Sequence, residues 1–353
     1  MADEYRPVFV NTDQATDLRN KGSTYVDAFA RQLQEIFFID NPALAIDKRS
    51  ALTSADFKKY AETQNEPVYV YYPWNGHLVK TVGADRYFRL KTNRNQDLIT
   101  ADEQTKLYAY RVGVFGLSVG SNIAFALTQA GISREIVLAD YDALDTTNLN
   151  RIFAGVHQVG INKAIVAARR IYEDDPFADV EVLECGIDAS TLEKLLAEKR
   201  ADCIVEEVDD MPFKLEARKL ALKHRVPVVM VTDNGDGVVL HVERYDLGWQ
   251  KIFGKEPSYF DQFASSGDKE TIGKFIMNDI VGGVERVDPA MLASVRRVLA
   301  GELVSWSQLG TAALLGGVVA TYIIKQIALG KNTEPDIRAY ISPTSVTWGT
   351  HAT

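Results

Sequence analysis

Cysteine is nearly absent: Cys185 and Cys203 are the only two in 353 residues. That scarcity excludes a disulfide scaffold and a four-cysteine zinc site, and it fits a chain kept in the reducing cytoplasm. Positive charge is short as well. Lys and Arg total 39 against 48 acids, a net charge of −9 with a pI near 5.2, which argues against a phosphate track for nucleic acid. The start, MADEYRPVFV, has neither the basic nor the apolar region of a secretory signal. The uncharged run 309–324, LGTAALLGGVVATYII, falls short of the roughly 20 residues that cross a bilayer, so it is expected to be a core helix rather than a membrane anchor. Its Gly316, Gly317 and Ala320 would let it lie close against a sheet or a twin helix. Internal repeats and low-complexity segments are missing too.

What is present is an ordinary folded composition, 46% hydrophobic, with room for one large α/β domain and a small additional one. The organising stretch is 111–151, RVGVFGLSVGSNIAFALTQAGISREIVLADYDALDTTNLNR. A short β-prone run (Val112, Val114, Phe115) gives way to the small residues Gly116-Leu117-Ser118-Val119-Gly120-Ser121, and good helix formers continue to Ala130. A second apolar run, 136–139, ends on Asp140. Strand, glycine turn, helix and strand ending in an acid make a nucleotide-binding βαβ unit. Backbone N–H groups of Gly116, Ser118 and Gly120 can approach a phosphate at the positive end of the helix, and Asp140 can meet a ribose hydroxyl pair. The same pattern describes an NAD(P)-dependent oxidoreductase, and also a non-catalytic nucleotide-binding module.

The tail of the stretch separates these readings. Asp140-Tyr141-Asp142, then Thr147-Asn148-Leu149-Asn150-Arg151, then Gly160-Ile161-Asn162-Lys163-Ala164 resemble the ThiF/MoeB/HesA family, the adenylyltransferases related to ubiquitin-activating enzymes. Their pattern here is D-x-D, S/T-N-L-x-R and G-x-x-K-A. The resemblance is good over about 110–245 and looser to about 330. It implies a doubly wound, mostly parallel, Rossmann-like α/β sheet over 86–353, preceded by a small α+β extension over 1–85, in a homodimer. It also implies ATP- and Mg²⁺-dependent activation of a carboxylate, at the C-terminus of a small ubiquitin-like protein or a peptide, or on a small carboxylate.

Residue by residue, the resemblance places Asp140 on the ribose, and Asn148, Arg151 and Lys163 on the phosphates. A planar fork and a point charge both suit phosphate oxygens. The second aspartate of the family's D-x-x-D-N-x-x-x-R is matched by Asp209, the expected Mg²⁺ ligand, and Arg218 falls near the motif's arginine. Here the sequence departs, with Asp210 in place of asparagine and glutamates at 206 and 207, an acid group that would be solvated or hold more than one metal. A second departure is the glycine turn, one residue shorter than the family's G-x-G-G-x-G and with Ser118 inside. Arg94, or failing that Arg89, stands nearest the arginine that reaches the partner subunit's ATP in the family.

Further expectations come from local pattern: a helix over 25–39 ending before Asn41-Pro42, a strand over 68–74, and a helix over 213–224. The turn 233–237 has its glycines where the family keeps small residues beside the adenylate, although a plain hairpin explains them equally. The aromatic-rich segment 248–275 reads as a long functional or mobile loop. It carries no cysteine, and Cys203, within a buried strand, and Cys185, at the end of the strand 180–184, both read as structural small hydrophobes, so the expected mechanism has no catalytic cysteine.

Overall fold

The computed structural model describes residues 4–261 and 273–343. These divide into two compact units, one of residues up to 104 with 172–177, the other of 105–171 with 178 onward. The expected boundary at residue 85 therefore falls inside the first unit, at the start of a helix that packs there.

In the N-terminal unit the strands β1 (Val8–Val10), β2 (Thr24–Asp27), β3 (Val68–Tyr72) and β4 (His77–Thr81) form a sheet in the order β1-β3-β4-β2, antiparallel except for the β2 and β4 pair. Helices α1 (Thr12–Asn20), α2 (Phe29–Asp40), α3 (Lys48–Thr53), α4 (Ala55–Thr63) and α5 (Ala84–Thr92) complete it. Phe29, Leu33, Ile36 and Val82 are its buried centre, with Tyr60, Tyr87 and Leu90 against them. The helix expected from residue 25 starts later, because Tyr25 and Val26 pair with Leu78 and Val79 as strand. β-Branched and aromatic residues fit a pleat better than a first helical turn. The helix ends at Asp40, before Asn41-Pro42, as expected.

The larger unit is the doubly wound α/β fold that the sequence implies. Its seven strands are β5 (Val112–Phe115), β6 (Glu135–Ala139), β7 (Asp179–Leu183), β8 (Cys203–Glu206), β9 (Val228–Asn234), β10 (Gly237–Glu243) and β11 (Asp336–Ile341), in the order β11-β10-β9-β8-β5-β6-β7. The five from β9 to β7 run parallel, and β10 and β11 add an antiparallel edge. Strand residues alternate between faces. Val114 meets the start of α7 (Gly120–Gln129), whereas Phe115 lies in a cluster with Leu192 and Leu195 of α9 (Ala189–Ala197) and Ala217 and Ala221 of α10 (Met211–His224). α6 (Ala101–Ala109) precedes β5, and after α8 (Lys163–Asp174) and α11 (Pro289–Leu299) the last helix among the described residues is α12 (Gly310–Ala328), which packs on α7, β9 and β10.

α12 is long and apolar enough to cross a membrane by length and composition. Here Ala312, Ala313, Gly316, Gly317, Ala320 and Ile324 are buried, and a Cβ on Gly316 would come 2.9 Å from Val231 Cγ1. Small residues thus set its close approach to the sheet, as the sequence suggests. The chain leaves β5 toward β6 and β7, then crosses back to β8 on β5's other side. The carboxyl ends of β5 and β8 therefore frame the crevice of a topological switch point, where ligands of such sheets bind.

Candidate functional site at the switch point

The turn after β5 is fitted to its neighbours by backbone geometry. Gly116 has φ +86°, a left-handed conformation, and a Cβ there would overlap the backbone carbonyl of Glu207 just beyond β8. Its N–H donates to Ala139 O of β6 at 2.9 Å. Asp140 closes the arrangement: Oδ2 accepts from Leu117 N at 2.7 Å and Oδ1 from Asp142 N at 2.8 Å. The carboxylate is buried, which pushes its pKa up, and those two backbone donors together with Lys163 pull the other way. Asp140 is thus first a tie between β6 and the glycine turn. Gly120 opens α7, where a Cβ would press on Val114 Cγ1 at 3.0 Å.

Ser118, the residue that departs from the family turn, has a partner. Its Oγ accepts from Arg151 Nε at 2.8 Å. Arg151 Nη1 donates to Thr147 O at 3.2 Å and Asn150 Oδ1 at 2.9 Å, and its backbone O accepts from Asn122 Nδ2 at 2.8 Å. Nη2 keeps both its protons for a ligand. Burial lowers the Arg151 pKa, while Asp233 and Asp209 raise it, so both carboxylates lie within electrostatic reach of the guanidinium. Asn148 is buried at the short 3₁₀ turn Thr146–Asn148, where its Oδ1 accepts from Asp145 N at 2.9 Å and orders the loop. Lys163, the first residue of α8, holds Asp142 Oδ2 at 2.7 Å with only a tenth of its side chain exposed. It is not a solvated surface charge.

The acids after β8 have separate duties, and the expectation of a solvated or multi-metal group is corrected. Glu206 is fully buried and bonded to Lys214 Nζ at 3.0 Å and Arg218 Nη1 at 2.8 Å. Glu207 Oε1 accepts from Val231 N at 2.7 Å, and burial holds its pKa well up. Asp210 caps α10 through Phe213 N at 2.7 Å. That leaves Asp209, exposed and, among the described residues, without a hydrogen bond or ion pair. Arg218, near the expected motif arginine, is structural: fully buried, it also donates from Nε to Glu243 Oε2 at 2.6 Å. Sequence reading missed Asp233 on β9, 5% exposed with neither carboxylate oxygen hydrogen-bonded. Burial pushes its pKa up to about 6, opposed by Arg151. Among the described residues no group of three or more His, Cys, Asp or Glu could hold a metal. A cation here would take one or two carboxylates and complete its shell with phosphate oxygens and water, the habit of Mg²⁺.

Other expectations change. Cys203 is buried in β8 and burial pushes its thiol up, but Cys185, expected to be a structural small hydrophobe, is exposed after β7. It precedes Gly186, whose φ of +78° turns the chain out of the strand. The turn 233–237 is a plain hairpin between β9 and β10, with Gly237 where a Cβ would crowd Ile341 O of β11. Phe253, Phe260 and Phe275 are not loop residues free for a ligand, since they are buried together with Ile252 and Met230. Phe263, from the same segment, lies outside the described residues. Arg89 is tied to Asp40 at 2.5 Å, whereas Arg94, in the 3₁₀ turn Asn93–Asn95 of the N-terminal unit, is exposed.

A family model described as the ThiF family matches residues 90–347. The chain belongs to the ThiF family. The resemblance carried by the Asp140, Arg151 and Lys163 motifs is therefore a membership. This ThiF chain is 36% identical over 223 residues to the uncharacterized protein MT1398 of Mycobacterium tuberculosis, a match covering 63% of the chain and 28% of that protein. It is 31% identical over 109 residues to ubiquitin-like modifier-activating enzyme 5 of Bombyx mori, covering 31% of the chain and 27% of the enzyme. It thus spans little more than a quarter of the length of the curated relatives it matches. Its fold is similar to that of E. coli tRNA N6-threonylcarbamoyladenosine dehydratase, TcdA, in complex with AMP. That likeness has a TM-score of 0.51 at 18% identity and covers 69% of this ThiF chain and 95% of the other.

Proposed function

We propose that this ThiF chain activates a carboxylate as an acyl-adenylate, using ATP and Mg²⁺. The observation that carries the reading is Arg151, fastened to the glycine turn through Ser118 at the switch point, with two N–H groups still to give. In the reaction a carboxylate oxygen bonds to the α-phosphorus, the bond from that phosphorus to the bridging oxygen breaks, and the electron pair leaves with pyrophosphate. Negative charge meets negative charge, so the chain must supply cations around it. Arg151 offers its fork. Lys163 supplies a second charge by exchanging Asp142 for phosphate. Asn148 keeps its amide N–H groups for the same oxygens, and the backbone of Gly116 to Gly120 borders them. Asp140 retains lone pairs for ribose hydroxyls beside the two backbone donors it already accepts from. Mg²⁺ held by Asp209 would neutralise charge on the departing pyrophosphate.

For the substrate, the likeness to ubiquitin-like modifier-activating enzyme 5 favours the C-terminus of a small ubiquitin-like protein, with a peptide or a small carboxylate as the other carboxylates of this chemistry. The acyl group passes to an external nucleophile, without a catalytic cysteine. We place the chain in a cytoplasmic homodimer in which Arg94 reaches the partner's phosphates.

The test needs no substrate. A ligand at a hundredfold excess over its Kd stabilises the folded state by about 2.7 kcal/mol, enough for several degrees of melting temperature at this size. Mg·ATP should give that shift and NAD⁺ should not. Lys163→Ala should remove most of it, measured from the variant's own ligand-free melting point. A shift with NAD⁺ alone would make the chain a nicotinamide enzyme, and no shift with any nucleotide would make it a non-catalytic module.

A further inference from the structure

Among the described residues, Asp233 is a buried carboxylate at the switch point whose two oxygens have no hydrogen-bond partner. Its backbone is fixed in the sheet opposite Val238. The next residue is fixed too: Asn234 Nδ2 donates to Arg286 O at 2.8 Å and its Oδ1 accepts from Asp288 N at 2.7 Å. The Asp233 side chain therefore plays no part in holding the hairpin. It is 5% exposed, and both of its oxygens lack a hydrogen-bond donor. The opposite charge it feels is Arg151, but that guanidinium spends Nε and Nη1 on Ser118, Thr147 and Asn150 and makes no bond to it. A buried carboxylate left in this way costs more stability than the neutral amide of an asparagine of the same shape.

A cation would answer both oxygens at once. Arg151 lies in the field of two carboxylates, Asp233 from β9 and the exposed Asp209 from the loop after β8, and is bonded to neither. Two carboxylates facing phosphate oxygens are the protein share of a hard divalent cation's shell. We infer that Asp233 is a second ligand, with Asp209, of the divalent cation that accompanies the nucleotide, an inference that rests on the nucleotide reading of the site. The cation would supply the partner that the oxygens lack and offset a charge that would otherwise face the triphosphate.

Mn²⁺ serves as the probe. The full chain, Asp233→Asn and Asp209→Asn are titrated with Mn²⁺, the free ion being followed by electron paramagnetic resonance, with and without α,β-methylene-ATP. Each variant should weaken Mn²⁺ binding tenfold or more, while Asp233→Asn binds the analogue in EDTA as well as wild type or better. Without metal, Asp233→Asn should melt higher than wild type, and it should gain little from added Mn²⁺. A Mn²⁺ affinity within twofold of wild type would overturn the assignment, with analogue binding showing whether the nucleotide reading survives it. A lower metal-free melting point for Asp233→Asn would overturn it too, because the carboxylate would then serve the fold. Mn²⁺ bound through Asp233 by a chain that ignores the analogue would uphold the ligand and sink the nucleotide reading.

Discussion

Replacing Arg218 by Met should be among the most destabilising single changes outside the apolar core. The side chain is fully buried between Glu206 and Glu243, bonded at 2.8 and 2.6 Å, with its guanidinium 4.0 Å from the centre of the Phe253 ring. Met fills similar volume, so the loss is chiefly electrostatic. Glu206 keeps Lys214, and Glu243 Oε1 keeps Tyr245 Oη and Phe253 N, but Glu243 Oε2 is left with no cation. Breaking a buried pair from one side costs about 3–5 kcal/mol, which at this size lowers the melting temperature by roughly 6–20 °C. Neutralising the stranded partner should return part of it. The double variant Arg218→Met, Glu243→Gln should lie about 1–3 kcal/mol above the sum of its two singles. Urea unfolding of the four proteins of this cycle, read by tryptophan fluorescence, measures both quantities. A loss under 1 kcal/mol for Arg218→Met, or strict additivity in the cycle, would refute the claim that these charges stabilise only as a set.

Three further outcomes follow from the geometry. Burial pushes the His241 pKa down to about 3, and its Nε2 donates to Ile280 O at 2.8 Å, so the folded chain holds it neutral. Below about pH 6.5 the unfolded chain takes up the proton first, and stability should fall by about 1.4 kcal/mol per pH unit from this group, about 2 kcal/mol by pH 5. His241→Gln should flatten that slope in urea titrations, and an unchanged slope would assign it to other groups. Gly116→Ala should lose about 2–4 kcal/mol, since it combines a left-handed backbone with overlap on Glu207, and a near-neutral result by calorimetry would mean the turn relaxes cheaply. Mixing inactive Arg94→Ala with inactive Asp209→Ala should restore part of the adenylation activity if Arg94 works in trans. No recovery despite confirmed subunit exchange would remove Arg94 from the site.

The parallel sheet was legible because its signals are local. Apolar runs of four or five residues, broken by Gly116 and by the acid at Asp140, mark strand ends whatever surrounds them. Arg151 and Lys163 were legible only as motif positions; that Ser118 holds one and Asp142 the other needed the fold. Glu206, Arg218 and Glu243 could not be read together, because nothing in a chain announces that charges 12 and 25 residues apart will share a dry interior. Asp233 was hidden for the opposite reason, since its distinction is what fails to lie beside it. The aromatics at 253 and 260 looked like a loop because irregular chain can bury rings without any period.

The contact between the Arg151 loop and α12 has a consequence for synthesis of the chain. Asn150 Nδ2 donates to Gln308 O at 2.9 Å, a Cβ on Gly310 would overlap Asn150 O, and one on Gly317 would come within 3.0 Å of Asn122 O. Asn122 in turn holds the Arg151 carbonyl. The glycine turn and its arginine leave the ribosome well before α12, the helix that braces them. A nascent chain therefore carries the whole glycine-turn and arginine motif well before it can align it, and the geometry of the switch point becomes a property of a chain that has reached α12.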